Sequence, residues 1–520
     1  AALMFSVTTA SLAPAAQVFA QQSDAQQGIE EIIVTAQKRD QSLQDVPIAI
    51  TALSSTDIER LNASDVRDLQ FATPNLVVVS SNAALPFFGI RGISDVSRNP
   101  GYEQRVGVYV DGIWVGRSGA SNQSVLDIQS IEVLRGPQGT LFGKNTVSGA
   151  INITTRKPSD EFGGQVTLEA GNFDFWRAMG TVNVPFTDTL FGKVTLSTTQ
   201  RDGFAKDVVT RGKFYDDRDE MALRVQLLWN IGDSTTAEFS YDDYSNDFAG
   251  LIGESTVDAL APRPYEVALD TKQLIESEND GFGLQVNHTF ANDFVLTSIT
   301  GVRSELYSVR DNDEDYSPQP VAFTDLTDSD GDYVSQEFRI ASPLGERFDY
   351  VLGLYYLDQE VDGRGVARVF ARALVPTAPP IYVTATYDAA VETTQLAAFA
   401  HGNFKLSEQW SLTGGIRFTD EDKDLSYRST DQSGRRQPAV TAIATQIASP
   451  MNGTRCVYAS KRRLPSTLAV TAATRIAPTI ATRGQSTAAC SVSDTRIGEC
   501  RCCCRAAGIP QTTSATTAAT

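Results

Sequence analysis

The sequence predicts a small α+β domain followed by a membrane-spanning antiparallel β-barrel, and three observations carry this prediction. Residues 41–158 mix short strands with two short helices. Residues 159–435 contain about eleven segments, each of roughly ten residues, in which apolar and polar side chains alternate; this fits tilted strands that face lipid on one side and a lumen on the other. No apolar run of about 18 residues follows the N-terminus, which excludes transmembrane helices.

Composition limits the classes of function. The chain has 520 residues and a net charge of −19, so it is long enough for two or more domains, and its acidity argues against a nucleic-acid partner. Its two histidines, His288 and His401, lie far apart, which argues against a histidine-rich metal site or a Ser-His-Asp triad. No carboxylate pair lies near a plausible nucleophile or base. We therefore expect no enzyme activity, no metal site and no cofactor.

The first 40 residues suggest export and a flexible lead. Residues 1–20 are apolar and end Gln17–Ala20, with small or apolar residues at the positions that signal peptidase reads; we interpret them as a signal peptide truncated at its front. Residues 21–40 follow, and within them residues 29–38 form a short β-prone segment between flexible flanks. Such a segment can add a strand to a partner's sheet edge. The alternative is an ordinary first strand of the next domain.

The elements of the α+β domain follow from caps, turns and alternation. Thr56 and Glu59 are spaced as a capping box that opens a helix through Leu61, and Ser64 is placed to cap a second helix. Asp111-Gly112 marks a hairpin turn. Strands are expected over 46–53, 76–79, 87–93, 106–110 and 149–155, with another beginning at Ile131. This last strand must break at Arg135–Gly139, because Pro137 lacks a backbone donor and the glycines permit positive φ.

The barrel prediction is supported by aromatic residues near the ends of the alternating segments. They include Phe173, Trp176, Trp229, Tyr241, Tyr350 and Trp410. The segments are 164–170, 176–185, 192–200, 222–230, 236–244, 282–290, 294–303, 333–342, 350–359, 395–404 and 410–418. A soluble β-sandwich or solenoid would also alternate, but short turns between long loops favour the barrel. Asp328–Asp332 resembles part of a calcium loop; because Leu326 occupies the first ligand position, we expect a solvated acidic loop.

The tail, residues 436–520, differs from the rest. It holds ten Lys/Arg and two Asp/Glu, a charge of +8, whereas the preceding residues hold 34 and 61, a charge of −27. One of the 45 aromatic residues lies there, Tyr458. All six cysteines lie there as well: Cys456, Cys490, Cys500, Cys502, Cys503 and Cys504. A metal or redox module and a disordered tail remain alternatives. We favour a frameshifted translation, because a GC-rich gene read out of frame would yield a segment rich in Ala, Thr, Arg and Cys.

Four stretches in one order resemble the TonB-dependent outer-membrane receptors. EVLRGPQGTLFGKNTVSGAINITTRKP, ending at Pro158, resembles the signature of their plug domain. Glu30–Ala36 resembles the TonB box, Phe88–Gly92 the first plug motif, and Val106–Gly112 the strand and turn that follow it. The matches cover about the first 160 residues, and the resemblance thins along the barrel region.

The resemblance implies an α+β plug domain inside a transmembrane antiparallel β-barrel of about 22 strands, of which about half are present here. Residues 41–158 would be the plug and 159–435 the partial barrel. The box residues would be Glu31, Ile32, Ile33, Val34, Thr35 and Ala36. The plug-motif residues would be Arg91, Gly92, Asp111, Gly112, Glu132, Arg135, Gly136, Pro137, Gly139, Gly143 and Gly149. Arg91, Arg105, Arg117, Glu132 and Arg135 would face either solvent or the polar inner wall.

The implied function is energised uptake of a scarce ligand across the outer membrane of a Gram-negative bacterium. The ligand would be a small molecule such as a ferric siderophore, and the partners would be the periplasmic TonB protein, through the box, and outer-membrane lipid. A receptor for cobalamin or a carbohydrate, a passive porin-like barrel, and a defective truncated product remain alternatives.

Overall fold

The computed structural model describes residues 32–431, with gaps at 64, 81–84, 97–99, 119–125, 210–213, 216, 251–264, 272, 316, 346, 371–380 and 408–409, together with residues 467–473. All of these belong to one compact unit, residues 1–474. The predicted signal peptide, Glu31, the six cysteines and most of the tail lie outside the described residues. No described helix is both long enough and apolar enough to cross a membrane.

The N-terminal part is the predicted α+β domain, which we call the plug. Its elements are β1 (Ile33–Val34), β2 (Gln41–Ser42), β3 (Ala49–Ser54), α1 (Ser55–Leu61), a 3-10 helix (Val66–Phe71), β4 (Leu76–Ser80), β5 (Pro86–Ile90), β6 (Val106–Val110), β7 (Ile113–Trp114), β8 (Ile128–Arg135) and β9 (Gly149–Thr155). The central sheet has the order β3-β8-β9-β6-β7, and β1-β2 and β4-β5 form two separate pairs. The β6-β9 pairing is parallel and the other pairings are antiparallel.

Both helix starts differ from the prediction. Ser54 caps α1: its hydroxyl accepts a hydrogen bond from the Asp57 N–H at 3.2 Å, and the Asp57 carboxylate accepts one from the Ser54 N–H at 3.1 Å. The predicted box of Thr56 and Glu59 is wrong because β3 ends at Ser54, the last extended residue, where a cap must sit. Asp65, rather than Ser64, caps the second helix, which is a 3-10 helix.

The plug core allows no side chain at Gly149. The core contains Ile90, Val108, Ile131 and Ile151, which are fully buried. At Gly149 a Cβ would lie 2.3 Å from the carbonyl oxygen of Leu134 and 2.6 Å from Cδ1 of Ile90. Gly149 pairs with β6 on one side and β8 on the other. The glycine therefore permits the close approach of three strands.

A long antiparallel sheet follows the plug. Its strands are β10 (Gly163–Ala170), β11 (Trp176–Pro185), β12 (Leu190–Arg201), β15 (Arg218–Ile231), β16 (Thr235–Phe248), β18 (Leu274–Thr289), β19 (Val295–Asp313), β20 (Ala322–Ala341), β21 (Phe348–Phe370), β22 (Tyr382–Ser407), β23 (Trp410–Asp431) and β24 (Thr467–Ala473), in that order. A smaller sheet contains β13 (Ala205–Asp207), β14 (Phe214–Tyr215) and β17 (Glu266–Val267). Eleven strands of the long sheet precede the tail, as predicted. β24 adds a twelfth from the tail, where no strand was predicted.

The long sheet has an inner face against the plug and an outer face that exposes apolar side chains. In β21, Val351 and Leu357 are buried, whereas Leu352 and Leu354 between them are exposed. This confirms the predicted alternation. Asp328–Asp332 is not a loop: it lies within β20, with Asp330 opposite Leu306 of β19 and Asp362 of β21. The predicted loop is wrong because pairing with two neighbouring strands outweighs the low strand propensity of Asp and Gly.

We expect Gly149→Ala to destabilise the plug by about 1–3 kcal/mol, the usual cost of overpacking a filled site. Gly180→Ala is the matched control, because a Cβ there meets nothing within 4 Å. The measurement is the urea concentration at which the plug of the detergent-solubilised chain becomes sensitive to protease. Equal midpoints for the two variants would show that the three strands can separate to admit a methyl group.

Candidate functional site

The predicted box is folded against the plug. Ile33 pairs with Ser42 and Val34 with Gln41, so β1 has a partner strand within its own chain. Val34 is fully buried, whereas Ile33 is 51% exposed. Val34 and Ala36 belong to one apolar cluster with Tyr109, Phe142 and residues of the long sheet. The segment therefore presents one side to the protein and the other to solvent.

Thr35 connects the box to the centre of the plug sheet. Its N–H and its hydroxyl both donate to Oε1 of Glu132, at 2.7 and 3.1 Å. The side-chain amide of Asn152 donates to the Thr35 hydroxyl at 2.9 Å. Glu132 is 1% exposed, and burial raises the pKa of its carboxyl group above the ordinary value. Two residues that the sequence nominated separately, Thr35 and Glu132, are thus in direct contact.

Two cationic side chains directly after the box contact the inner face of the long sheet, which we call the wall. The Lys38 ammonium lies 3.4 Å from Oε2 of Glu337, and the Arg39 guanidinium lies 2.8 Å from Oδ1 of Asp349. The Lys38 ammonium also lies 4.7 Å from the centre of the Phe142 ring, and burial lowers the pKa of Lys38. Sequence reasoning did not nominate Lys38 or Arg39, because their partners are 299 and 310 residues away and no local spacing signals such pairs.

The predicted turn at Asp111-Gly112 adopts left-handed backbone, and so does Arg91-Gly92. The strand expected over 87–93 is therefore wrong at its end, because β5 stops at Ile90 and the next two residues turn. Arg91 and Gly92 have φ of 55° and 78°, and Asp111 and Gly112 have φ of 50° and 81°. The second pair forms the predicted hairpin turn between β6 and β7. The Asp111 carboxylate accepts hydrogen bonds from the Thr155 N–H at 2.9 Å and the Thr155 hydroxyl at 2.8 Å. This carboxylate fixes the turn to the end of β9.

The Arg135–Gly139 break forms a tight connection, as predicted. The Gly136 N–H donates to the Ser148 carbonyl at 2.9 Å, and the Gln138 N–H donates to the Thr146 carbonyl at 3.0 Å. A cavity of about 330 Å³ lies beside the connection. Its lining includes Arg91, Arg135, Pro137, Gln37 and His401. Sequence motifs that are 44 residues apart, at 91 and 135, therefore share one cavity.

Gly143 lies where the plug meets an arginine of the wall. A Cβ at this position would lie 2.8 Å from Nη2 of Arg417, and the φ of Gly143 is +84°. Arg417 itself stacks over the rings of Tyr355 and Phe399, at 5.6 and 5.5 Å from their centres. Glycine is needed at 143 for the backbone conformation, and any larger residue would also have to shift the Arg417 guanidinium.

Further ion pairs join the plug to other strands of the wall. Lys157 pairs with Glu238 at 2.8 Å, and Lys193 of β12 pairs with Asp127 at 2.6 Å. Of the plug charges expected at the wall, Arg117 reaches it: its guanidinium donates to the Ser329 hydroxyl at 3.3 Å, and its backbone N–H donates to Glu305 at 3.3 Å. Arg105 instead lies 3.7 Å from Asp95 within the plug. Among the described residues, no three His, Cys, Asp or Glu side chains are grouped so as to hold a metal ion.

A cavity of about 720 Å³ opens beside the box. Its plug side includes Thr35, Asp111 and Glu132, and its wall side includes Glu238 and Arg339. The box therefore lies at the edge of a polar space between the plug and the sheet. Movement of the box would not have to displace a packed core on that side.

The raised pKa of Glu132 predicts a pH dependence. The folded plug keeps a proton that the unfolded chain releases near the ordinary pKa of 4.5, so this group contributes stability at lower pH that is lost as pH rises through the folded value. Each unit of pKa shift corresponds to about 1.4 kcal/mol. Glu132→Gln, which keeps an acceptor oxygen, should flatten this part of the profile. The test compares urea midpoints of the two proteins at about pH 4 and 7.5; profiles that run parallel would contradict the assignment.

Comparison with known proteins identifies both parts of the chain. The TonB-dependent receptor plug domain matches residues 42–150, and the TonB-dependent receptor-like β-barrel matches residues 224–443. The pesticin receptor of Yersinia pestis is 26% identical over 425 residues, which are 78% of this chain and 58% of that receptor. The ferrioxamine B receptor of Salmonella typhimurium is 27% identical over 267 residues, 48% of this chain and 36% of the relative. The vitamin B12 transporter of Vibrio vulnificus is 25% identical over 244 residues, 44% of this chain and 38% of the relative.

Solved structures show the same fold. The ferric yersiniabactin uptake receptor of Yersinia pestis superposes with a TM-score of 0.65 at 23% identity, over 75% of this chain and 59% of that one. The ferripyoverdine receptor of Pseudomonas aeruginosa superposes with a TM-score of 0.60 at 18% identity, over 78% of this chain and 56% of that one. The chain thus spans less than two thirds of the length of these proteins. A plug packed against a long antiparallel sheet, with both family domains matched in order, shows that the chain belongs to the TonB-dependent receptors of the Gram-negative outer membrane.

Proposed function

We propose that this chain serves in TonB-dependent, energised uptake of a ferric siderophore, with residues 41–158 as the plug and 159–435 as the barrel portion. The observation that carries the proposal is the box, which is folded beneath the plug and held to both plug and wall. A segment with such contacts can report the state of the plug to a partner, and a passive channel has no use for one. The ferrioxamine B, ferric yersiniabactin and ferripyoverdine receptors among the similar proteins favour a ferric siderophore as the ligand.

The box has the geometry for capture by strand addition. In the described part of the chain β1 pairs only with β2, so its other edge carries backbone groups that a partner strand could use. Ile33 is exposed, whereas Val34 and Ala36 are buried against the plug. Full pairing with the periplasmic TonB protein would require Val34 and Ala36 to leave the apolar cluster. The contacts of Thr35, Lys38 and Arg39 set the cost of that departure.

In the proposed function the plug is the barrier to the ligand, and energised transport must displace it. Trp114 of the plug meets Tyr333 of β20 edge to face, with ring centres 5.4 Å apart. Ion pairs fix further points of the plug to β12, β16, β20, β21 and β23. These contacts favour a gated receptor over the porin-like alternative. A cobalamin receptor remains the second candidate, because a vitamin B12 transporter is among the relatives.

The ligand class is tested by uptake in cells that express this chain as their single outer-membrane receptor. The panel contains iron-55 complexes of ferrioxamine B, yersiniabactin and pyoverdine, together with radiolabelled cyanocobalamin. We expect one of the iron complexes to accumulate, and accumulation to stop when the proton gradient is collapsed. Accumulation of cobalamin alone would show that the ligand is cobalamin and not a ferric siderophore. Entry of all four compounds without the proton gradient would favour a passive barrel.

We expect Val34→Pro to abolish energised uptake while ligand still binds to de-energised cells. Proline removes the backbone donor and fixes φ in a segment that must pair as a strand. Val34→Ala is the matched control: it also removes the buried side chain but keeps the donor, so it should retain most of the uptake. Normal uptake by the proline variant would show that residues 31–36 are not the partner-binding box.

A further inference from the structure

A short loop of the plug lies at the end opposite the box. Residues 100–105 lead into Val106, the first residue of β6, whereas the turn at the far end of β6, Asp111-Gly112, lines the cavity beside the box. Within this loop Tyr102 is 52% exposed, and Pro100 approaches Gly363 of the wall closely enough that a Cβ there would lie 2.8 Å from Cγ of Pro100. The loop therefore combines an exposed aromatic side chain with a fixed contact to the sheet.

Four charged side chains link this loop to the wall and to the connection between β8 and β9 of the plug. Oε1 of Glu103 lies 2.8 Å from the Lys144 ammonium and 3.0 Å from the Lys423 ammonium. The Lys144 ammonium lies 3.6 Å from Oε2 of Glu421, which also accepts a hydrogen bond from Gln395 at 2.9 Å. The side chain of Lys144 is 11% exposed. Lys144 thus stands between a carboxylate of the loop and a carboxylate of β23.

Lys144 belongs to the connection between β8 and β9, which is internally stiff. The Phe142 N–H donates to the Gln138 carbonyl at 3.0 Å, and the Thr146 hydroxyl donates to the Gly143 carbonyl at 2.7 Å. The Tyr109 hydroxyl donates to the Phe142 carbonyl at 2.8 Å. A displacement of Lys144 would therefore move Phe142 with it.

Phe142 in turn contacts the segment that contains the box. Its ring lies beneath the Lys38 ammonium, 4.7 Å from ring centre to nitrogen. It shares one apolar cluster with Val34 and Ala36. The route from the 100–105 loop to the box thus runs through Glu103, Lys144 and Phe142 to Lys38 and Val34. The Glu103–Lys144 and Phe142–Lys38 steps are direct contacts. Lys144 and Phe142 are two residues apart in adjacent hydrogen-bonded turns of one connection, and Phe142 and Val34 belong to one apolar cluster.

We propose that Lys144 is a positioning residue that couples the 100–105 loop to the box. When a ligand engages the loop, Glu103 shifts, the Lys144 pair is disturbed, and Phe142 loosens its hold on Lys38 and Val34. The assignment of the two ends to ligand and partner rests on the proposed function. The coupling itself is a property of the chain that is measurable without either molecule.

The test is hydrogen–deuterium exchange of residues 33–37 in the purified full chain in detergent. Lys144→Met removes the charge, keeps the length of the side chain and leaves Glu421 without its cation, so we expect the box amides to exchange roughly three- to thirtyfold faster, the range given by coupling through packed side chains. Lys144→Arg should restore slow exchange. Lys193→Met is the matched control, because it breaks an equally close pair between plug and wall, with Asp127, that does not touch the box cluster.

Unchanged box exchange in Lys144→Met would overturn the proposal, as would an equal rise in Lys193→Met, which would indicate general loosening of the plug. Glu103→Gln tests the same ion pair from the loop side, and it serves as the test of the coupling if Lys144→Met does not fold. Slow box exchange in Glu103→Gln would exclude the loop as the start of the route. Failure of every ligand in an uptake assay would leave these results intact, so the two proposals fail separately.

Discussion

The structure depends on the pairing of buried charge between the plug and the inner face of the sheet. A charge withdrawn from water is tolerated when a partner meets it, and loss of one partner of such a pair typically costs about 3–5 kcal/mol. Lys38 and Arg39 extend from the plug to carboxylates of the wall, and Lys193 extends from the wall to a carboxylate of the plug; these cations are buried. The more exposed Lys157 and Lys423 make one further pair in each direction. Pairing in both directions fixes the rotation and depth of the plug. Apolar packing, which tolerates sliding, would not do so alone.

This arrangement explains why the box is held on one side and open to solvent on the other. Thr35 hydrogen-bonds to a fully enclosed carboxylate, and Lys38 and Arg39 hold the next two positions to the sheet. Ile33, by contrast, faces solvent and a polar cavity lies alongside. The segment is therefore secured by two small apolar side chains, Val34 and Ala36, and by a few polar contacts that water can replace. Such contacts suit a segment that must be released and recaptured, because local opening costs far less than unfolding of the plug.

Local chemistry made much of the fold predictable from the sequence. The alternation of apolar and polar residues predicted the eleven strands before the tail. Asp111-Gly112 and Arg135–Gly139 predicted turns, because turn signals act over a few residues. Capping at Ser54 was missed because the competing spacing at Thr56 is equally good until the end of β3 is known. The continuation of β20 through Asp328–Asp332 was missed because pairing partners decide it. Lys38, Lys144 and Glu103 were not nominated, because their partners lie between 41 and 320 positions away and no local spacing signals such pairs.

Zero-length carbodiimide crosslinking of the chain in outer-membrane preparations, followed by mass spectrometry, tests the plug–wall pairing most directly. This reagent joins a lysine amine to a carboxylate that it already contacts. The structure predicts four links across the plug–wall boundary: Lys38–Glu337, Lys423–Glu103, Lys193–Asp127 and Lys157–Glu238. Recovery of these links would establish the position of the plug. Links confined to the plug or to the sheet, with none of these four, would contradict the account.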